Sequence, residues 1–287
     1  MDNTEKIKDK NVVLVGDFSI DNNHFGCHLV SQTFQEQFAR VGLNLLARLP
    51  LDLNSVRHSY EGLNQADLVV INGEGAIHNG RYQEILNLAE KYPCVLVNCV
   101  YENNPINHNL EKFKLITTRE SLSAQALESQ NIKAKVVPDV IFASSYLRSF
   151  KPRANLIIKQ SGYTDCAKKS VLKLGPVSIK YRLGFSPKSN KLNDYLNFLS
   201  SHKKIAVGRF HSAICCSIFG IPFSTWESNT WKIRGLMKDI GISDLHFDTR
   251  NEALRNIPNS LSNKVTSFSD SAKLRVESFF DSIANLI

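Results

Sequence analysis

The chain contains little that would take it out of the cytoplasm or through a membrane. Its first eleven residues carry Asp2, Glu5, Lys6, Lys8, Asp9 and Lys10 and hold no apolar stretch of signal-peptide length. No later run approaches the ~20 apolar residues that a spanning helix needs. A cytoplasmic location is expected, with attraction to an anionic inner-membrane surface left open by the net charge of +8. The six cysteines, Cys27, Cys94, Cys99, Cys166, Cys215 and Cys216, lack paired metal spacing; a reducing compartment suits them. No Asp-x-Asp pair occupies a strand-end loop. His24 and His28 stand four apart with no Glu between them and no third ligand nearby, so no metal is expected. The three-glycine dinucleotide fingerprint is missing, which disfavours NAD, and no other cofactor is called for. No arginine-rich run or nucleic-acid motif accompanies the positive charge, and nucleic acid is not an expected partner. Internal repeats are absent too.

What is present is an alternation of buried strands and helices. Val12 to Val15, Leu68 to Ile71 and Cys94 to Val97 are aliphatic runs of the kind buried on both faces of a parallel sheet. Helices are expected over His28–Val41, Tyr82–Glu90 and Ser121–Gln130, with short strands at Leu115–Thr118 and Lys135–Val137. A second set follows: strands at 155–159, 177–181, 203–208 and 221–225, helices at 192–199, 209–219 and 230–240, and a long amphipathic helix over 269–286. The pattern predicts an α/β protein with two Rossmann-like domains, 1–150 and 151–287, joined near Lys151-Pro152 with a cleft between them.

Ligand chemistry in such folds gathers where strands hand over to helices. Arg209-Phe210-His211 opens a helix that Gly220 and Pro222 stop. A fixed cation and an imidazole at that N-terminus suit a phosphate or carboxylate. Asn72-Gly73-Glu74-Gly75-Ala76-Ile77-His78 follows a strand. Its glycines allow close backbone approach, and Glu74 is placed to act as a base or to hold a sugar hydroxyl; a plain glycine turn with a solvent-facing Glu is the alternative. Asn23 and His24 lie in the loop after the first strand, at the same sheet edge. Arg119-Glu120-Ser121 opens a helix, either as a cap or as part of a site. Asp139 follows a strand, as a turn residue or directed into the cleft. Ser228, Asn229 and Lys232 offer hydroxyl, amide and ammonium groups for an anion, or serve as an ordinary N-cap.

Taken in order, 67–75, Thr118-Arg119-Glu120-Ser121-Leu122-Ser123, Val137-Pro138-Asp139, Gly208-Arg209-Phe210-His211 and Ser228-Asn229-Thr230-Trp231-Lys232 resemble the polysaccharide pyruvyl transferase family. The resemblance implies two Rossmann-like domains arranged as in GT-B glycosyltransferases. It also implies movement of the enolpyruvyl group of phosphoenolpyruvate onto a sugar during cell-surface polysaccharide assembly (capsule, lipopolysaccharide or exopolysaccharide). His211, Glu74 and Asp139 are then the catalytic candidates. Arg209, Ser228, Asn229 and Lys232 are those for the anionic donor, and Asn23, His24, His78 and Arg119 those for a glycan or lipid-linked glycan acceptor. Two departures keep other readings open: Glu74 interrupts a glycine triplet, and Asn23 to Cys27 replaces an Asn-x-Gly-Asp type loop. A glycosyltransferase using a nucleotide sugar such as CMP-Kdo is the second reading, with Asp139 or Glu74 as nucleophile in a retaining version. A glycan-binding protein without chemistry is the third.

Overall fold

The aliphatic runs become the centre of a parallel sheet. In the computed structural model, which describes residues 10–20, 24–52, 60–166 and 192–287, six parallel strands take the order β2-β1-β3-β4-β5-β6. These are β1 (Lys10–Val15), β2 (Leu43–Leu49), β3 (Leu68–Asn72), β4 (Cys94–Cys99), β5 (Leu115–Thr118) and β6 (Lys135–Val136). Every residue of β3 and β4 is buried, as the unbroken Val, Ile and Leu runs require. The chain reverses its direction of travel across the sheet between β1 and β3, so the crevice at their carboxyl ends is a topological switch point. Helix α1 (Phe25–Arg40) starts beside it.

A second sheet runs β10-β9-β8-β7, again parallel. It comprises β7 (Gly162–Cys166), β8 (Ile205–Gly208), β9 (Phe223–Trp226) and β10 (His246–Phe247). Between and around these strands lie α2 (Tyr60–Gln65), α3 (Ser121–Glu128), α4 (Ser145–Ser149), α5 (Leu192–Ser200), α6 (Phe210–Phe219), α7 (Lys232–Ile240), α8 (Arg250–Arg255) and α9 (Asn263–Ala284). Gly220 and Gly241, at φ 71° and 80°, end α6 and α7 in the left-handed conformation that glycine adopts without a Cβ penalty.

One continuous apolar cluster joins the halves. Val12 and Leu14 of β1, Phe34 and Phe38 of α1, Ile205 and Val207 of β8, Ile214 of α6, and Val276 and Phe280 of α9 all belong to it. Helix α9 returns to the first half. Phe280 meets Phe34 and Phe38 edge-on, with ring centroids 5.7 and 5.6 Å apart, and Arg40 donates to the Glu277 carbonyl at 2.7 Å. The carboxyl ends of both sheets are thereby held facing a common groove.

Several expectations need correcting. Residues 155–159 form no strand; they are mostly exposed and make one bridge, Lys159 with His202. The strand of that region is β7, which pairs instead with β8. The helix at Gln83–Glu90 is a 3-10 helix. The C-terminal helix begins six residues earlier than the amphipathic pattern suggested, at Asn263. The expected strand at 177–181 lies outside the described residues.

Candidate functional site

Three strand ends of the first sheet are tied by side-chain amides. Asn72 at the end of β3 donates to the Gly16 carbonyl at 2.9 Å. Asn98 of β4, at φ 52°, donates to Asn72 Oδ1 at 3.2 Å and accepts from the Val140 amide at 3.3 Å. Gly73 packs so closely on β4 that a Cβ there would lie 2.8 Å from Cys99. The turn that follows holds Glu74 at φ 35°, a conformation that costs a non-glycine residue roughly 1–3 kcal/mol. The backbone therefore fixes the direction of Glu74 at the switch point.

From the second half, β8 ends at Gly208 and α6 begins at Phe210, with Arg209 between them. The first turn of α6 carries His211 into the groove. His211 Nε2 lies 3.9 Å from Glu74 Oε1 and 3.7 Å from Asp139 Oδ2. Asp139 in turn accepts from Arg119 Nη1 at 3.0 Å, with both side chains almost completely withdrawn from solvent. A line of groups thus runs Glu74, His211, Asp139, Arg119. Gly26 makes room for it: a Cβ at that position would fall 2.0 Å from His211 Nδ1.

Glu74, His211 and Arg119 line a cavity of about 340 Å³ together with His24, Cys27, His78, Arg81, Arg209, Asn229 and Lys232. Cations dominate. Arg209 is held in a two-point grip by Asp165, Nε at 2.7 Å and Nη2 at 2.6 Å, and its Nη1 donates to His24 Nε2 at 3.1 Å. Lys232 Nζ donates to Asn229 Oδ1 at 2.5 Å. Arg119 and Lys232 converge over Gly75, where a Cβ would stand 3.1 Å from Arg119 Nη2 and 3.6 Å from Lys232 Nζ.

Titration follows from this crowding. Burial, reinforced by the Arg119 charge, pulls the Lys232 ammonium down to about 7. Burial and the neighbouring His211 and Arg209 bring His24 to about 3, so its ring is neutral and accepts from Arg209. Burial pushes the Glu74 carboxyl above the usual range despite the cations nearby. Asp139 goes the other way: burial would raise it, but His211 and Arg119 outweigh burial and hold it low. Glu74 Oε2, His211 Nε2 and Arg119 Nε are buried and make no hydrogen bond among the described residues. Three orphaned polar atoms beside one cavity mark a place built for a ligand.

Of the residues singled out from sequence, Glu74, His24, His78, Arg119, Arg209, His211, Asn229 and Lys232 line the cavity. Asp139 does not point into the groove as expected. It stands behind His211, its Oδ1 accepting the Ile141 amide at 3.1 Å, so both oxygens are engaged and it is poorly disposed as a nucleophile. Ser228 is buried, donates to Asn229 Oδ1 at 3.2 Å and is not part of the lining. The start of α7 is not an open anion cradle, because the Glu102 carboxylate already accepts the Trp231 amide at 2.9 Å. Glu120 proves to be the cap of α3, accepting from the amides of Leu122 and Ser123. Asn23 lies outside the described residues. Cys27, Arg81 and Asp165 carried no signal of their own. Cys27 is placed by the first turn of α1, where its thiol approaches Glu74 Oε1 at 3.6 Å, and Asp165 sits on the strand that lacked an aliphatic run.

The sequence matches the family model described as polysaccharide pyruvyl transferase over residues 6–225. It matches no curated protein. Among solved structures the chain is similar to an uncharacterized protein from Klebsiella pneumoniae at 15% identity and a TM-score of 0.56, covering 84% of this chain and 93% of that one. It is also similar to the UDP-GlcNAc 2-epimerase of Methanocaldococcus jannaschii at 10% identity and a TM-score of 0.48, covering 94% and 99% of the two chains. At 15% identity the likeness to the Klebsiella pneumoniae protein is one of fold.

Proposed function

The chain belongs to the polysaccharide pyruvyl transferase family, and from that premise we propose that it transfers the enolpyruvyl group of phosphoenolpyruvate to hydroxyls of a cell-surface glycan. The observation that carries this reading is the meeting, in one cavity, of two cation groups with an acid–imidazole pair whose inward atoms lack partners. Phosphoenolpyruvate has two anionic ends on a three-carbon frame. Arg119 and Lys232 converge over Gly75 to take one end, and Arg209, held by Asp165 and His24, takes the other. Arg119 therefore serves the donor rather than the acceptor.

The reaction adds a sugar hydroxyl across the enol double bond: the oxygen bonds to C2, a proton goes to C3, and the methylene becomes a methyl. A second hydroxyl of the same sugar then displaces phosphate from C2, giving the ketal and inorganic phosphate. His211 delivers the proton to C3, and Asp139 behind it steadies the imidazolium. Glu74, its carboxyl raised above the ordinary range by burial, takes the proton of the attacking hydroxyl. The positive end of α6 favours negative charge beside His211. His78, Arg81 and Asn229, which line the same cavity, hold the acceptor. Incubation with phosphoenolpyruvate and surface glycans should release phosphate, and His211→Ala and Glu74→Gln should each lower the release at least about 100-fold. Stabilisation by CMP and not by phosphoenolpyruvate would move the assignment to a nucleotide-sugar glycosyltransferase.

A further inference from the structure

We propose that residues 151–159 form a docking surface for an anionic phospholipid bilayer. The segment lies at the amino-terminal edge of the second sheet. It is pinned at both ends by its backbone: the Arg153 amide donates to Asn197 Oδ1 at 2.9 Å, the Lys159 amide to the Ser201 carbonyl at 2.7 Å, and the Lys203 amide to the Lys159 carbonyl at 2.9 Å. The stretch between these anchors projects. Ile157 is 82% exposed and Ile158 51%, adjacent aliphatic side chains that water disfavours. Lys151, Arg153, Lys159 and Lys203 around them are exposed as well. Among the described residues, the carboxylate bonded to this cation group is Asp194, which pairs with Arg153 at 2.6 Å.

The sequence extends the pattern. Residues 148–159 hold Arg148, Lys151, Arg153 and Lys159 and no acid. Cations together with protruding aliphatic side chains match the chemistry of an acidic membrane surface, where headgroups attract the former and the acyl boundary accepts the latter. A nucleic acid would reward the cations alone. A second copy docked through the same face would set like charges against each other.

The proposal stands apart from the identity of the donor. It does bear on the acceptor. Arg209 and His211 follow the carboxyl end of β8, whereas the docking segment lies beside its amino end. Seated on a membrane this way, the protein turns its groove away from the lipid, toward the distal sugars of a glycan that extends from it.

The test is co-sedimentation of the full chain with phosphatidylglycerol/phosphatidylethanolamine vesicles and with pure phosphatidylcholine vesicles. Binding is expected to the anionic vesicles, to weaken steeply between low and physiological salt, and to fall at least about tenfold in I157E/I158E. Lys151→Glu with Lys159→Glu should weaken it too, while Leu274→Glu, exposed on α9, should not. All variants should melt as wild type does, since the altered side chains face solvent. No binding to anionic vesicles, or unchanged binding of I157E/I158E, overturns the proposal. So does single-stranded RNA binding that matches vesicle binding and ignores the isoleucines, or dimerisation abolished by I157E/I158E. Phosphate release from phosphoenolpyruvate with a soluble glycan should be unaltered in I157E/I158E, which separates the two readings.

Discussion

Replacing Asp139 with asparagine removes the charge that faces Arg119 while preserving the shape of the side chain. The two partners meet at 3.0 Å with 1% and 0% of their side chains exposed. Leaving one member of such a pair charged and alone costs about 3–5 kcal/mol. In a chain of this size each kcal/mol shifts the melting temperature by roughly 2–4 °C, so Asp139→Asn should melt roughly 6–20 °C below wild type at pH 7. The pH dependence has a definite sign. Burial pushes the Asp139 carboxyl up, but His211 and Arg119 prevail and hold it below its ordinary value. Its contribution is therefore present above the unfolded-state carboxylate pKa and is lost as pH falls through the lower folded value. The gap between the two proteins should be full at neutral pH and close below about pH 4. Melting curves at pH 7, 4 and 3, followed by circular dichroism, measure it. Equal melting temperatures at pH 7, or a gap that widens toward acid, would refute the reasoning.

Lys232, at about 7, should lose its charge as pH rises through that value, so affinity for phosphoenolpyruvate should decline from pH 6.5 to 8.5 in a titration series. Lys232→Met should bind weakly and show a flatter profile. Gly26→Ala places a methyl where His211 Nδ1 now sits; phosphate release should drop at least about 100-fold, the scale of a lost acid–base group, and the melting temperature should fall by roughly 2–12 °C, since overpacking a buried site costs about 1–3 kcal/mol. Gly75→Ala crowds the meeting point of Arg119 and Lys232 and should weaken phosphoenolpyruvate binding about tenfold by calorimetry, the scale of one disturbed charge-assisted contact. Glu74→Gln should cost about 10²–10⁴ in turnover while retaining donor binding.

Where the chain packs on both faces, its architecture was readable from residues alone. Val12 to Val15 and Leu68 to Ile71 have no polar member, and they form the two strands that flank the switch point. The Gly220 stop of α6 was equally plain. Edge elements were not. Leu43–Leu49 alternates irregularly between buried and exposed, and β7 is Gly-Tyr-Thr-Asp-Cys, with no aliphatic run. Residues 155–159 misled for the opposite reason: Leu156, Ile157 and Ile158 look like a strand, yet the two isoleucines face solvent.

At the site, strand-to-helix turns marked Glu74, Arg209 and His211 as residues of interest. Their partnerships left no local trace. The grip of Asp165 on Arg209 joins positions 44 residues apart, and the contact of His24 with Arg209 joins positions 185 apart. Only the fold brings these together. The role of Asp139 depended on the same thing, since a lone Asp after a proline cannot announce that Arg119 and His211 will enclose it.

The most direct measurement is a thermal-shift comparison of phosphoenolpyruvate with CMP on wild-type protein, Arg209→Met and Arg119→Met. A ligand at ~100 times its dissociation constant adds about 2.7 kcal/mol of stability. We predict a clear upward shift with phosphoenolpyruvate that both variants lose, and none with CMP. A shift with CMP alone, or one with phosphoenolpyruvate that survives in both variants, would contradict the assignment of this cavity to the donor.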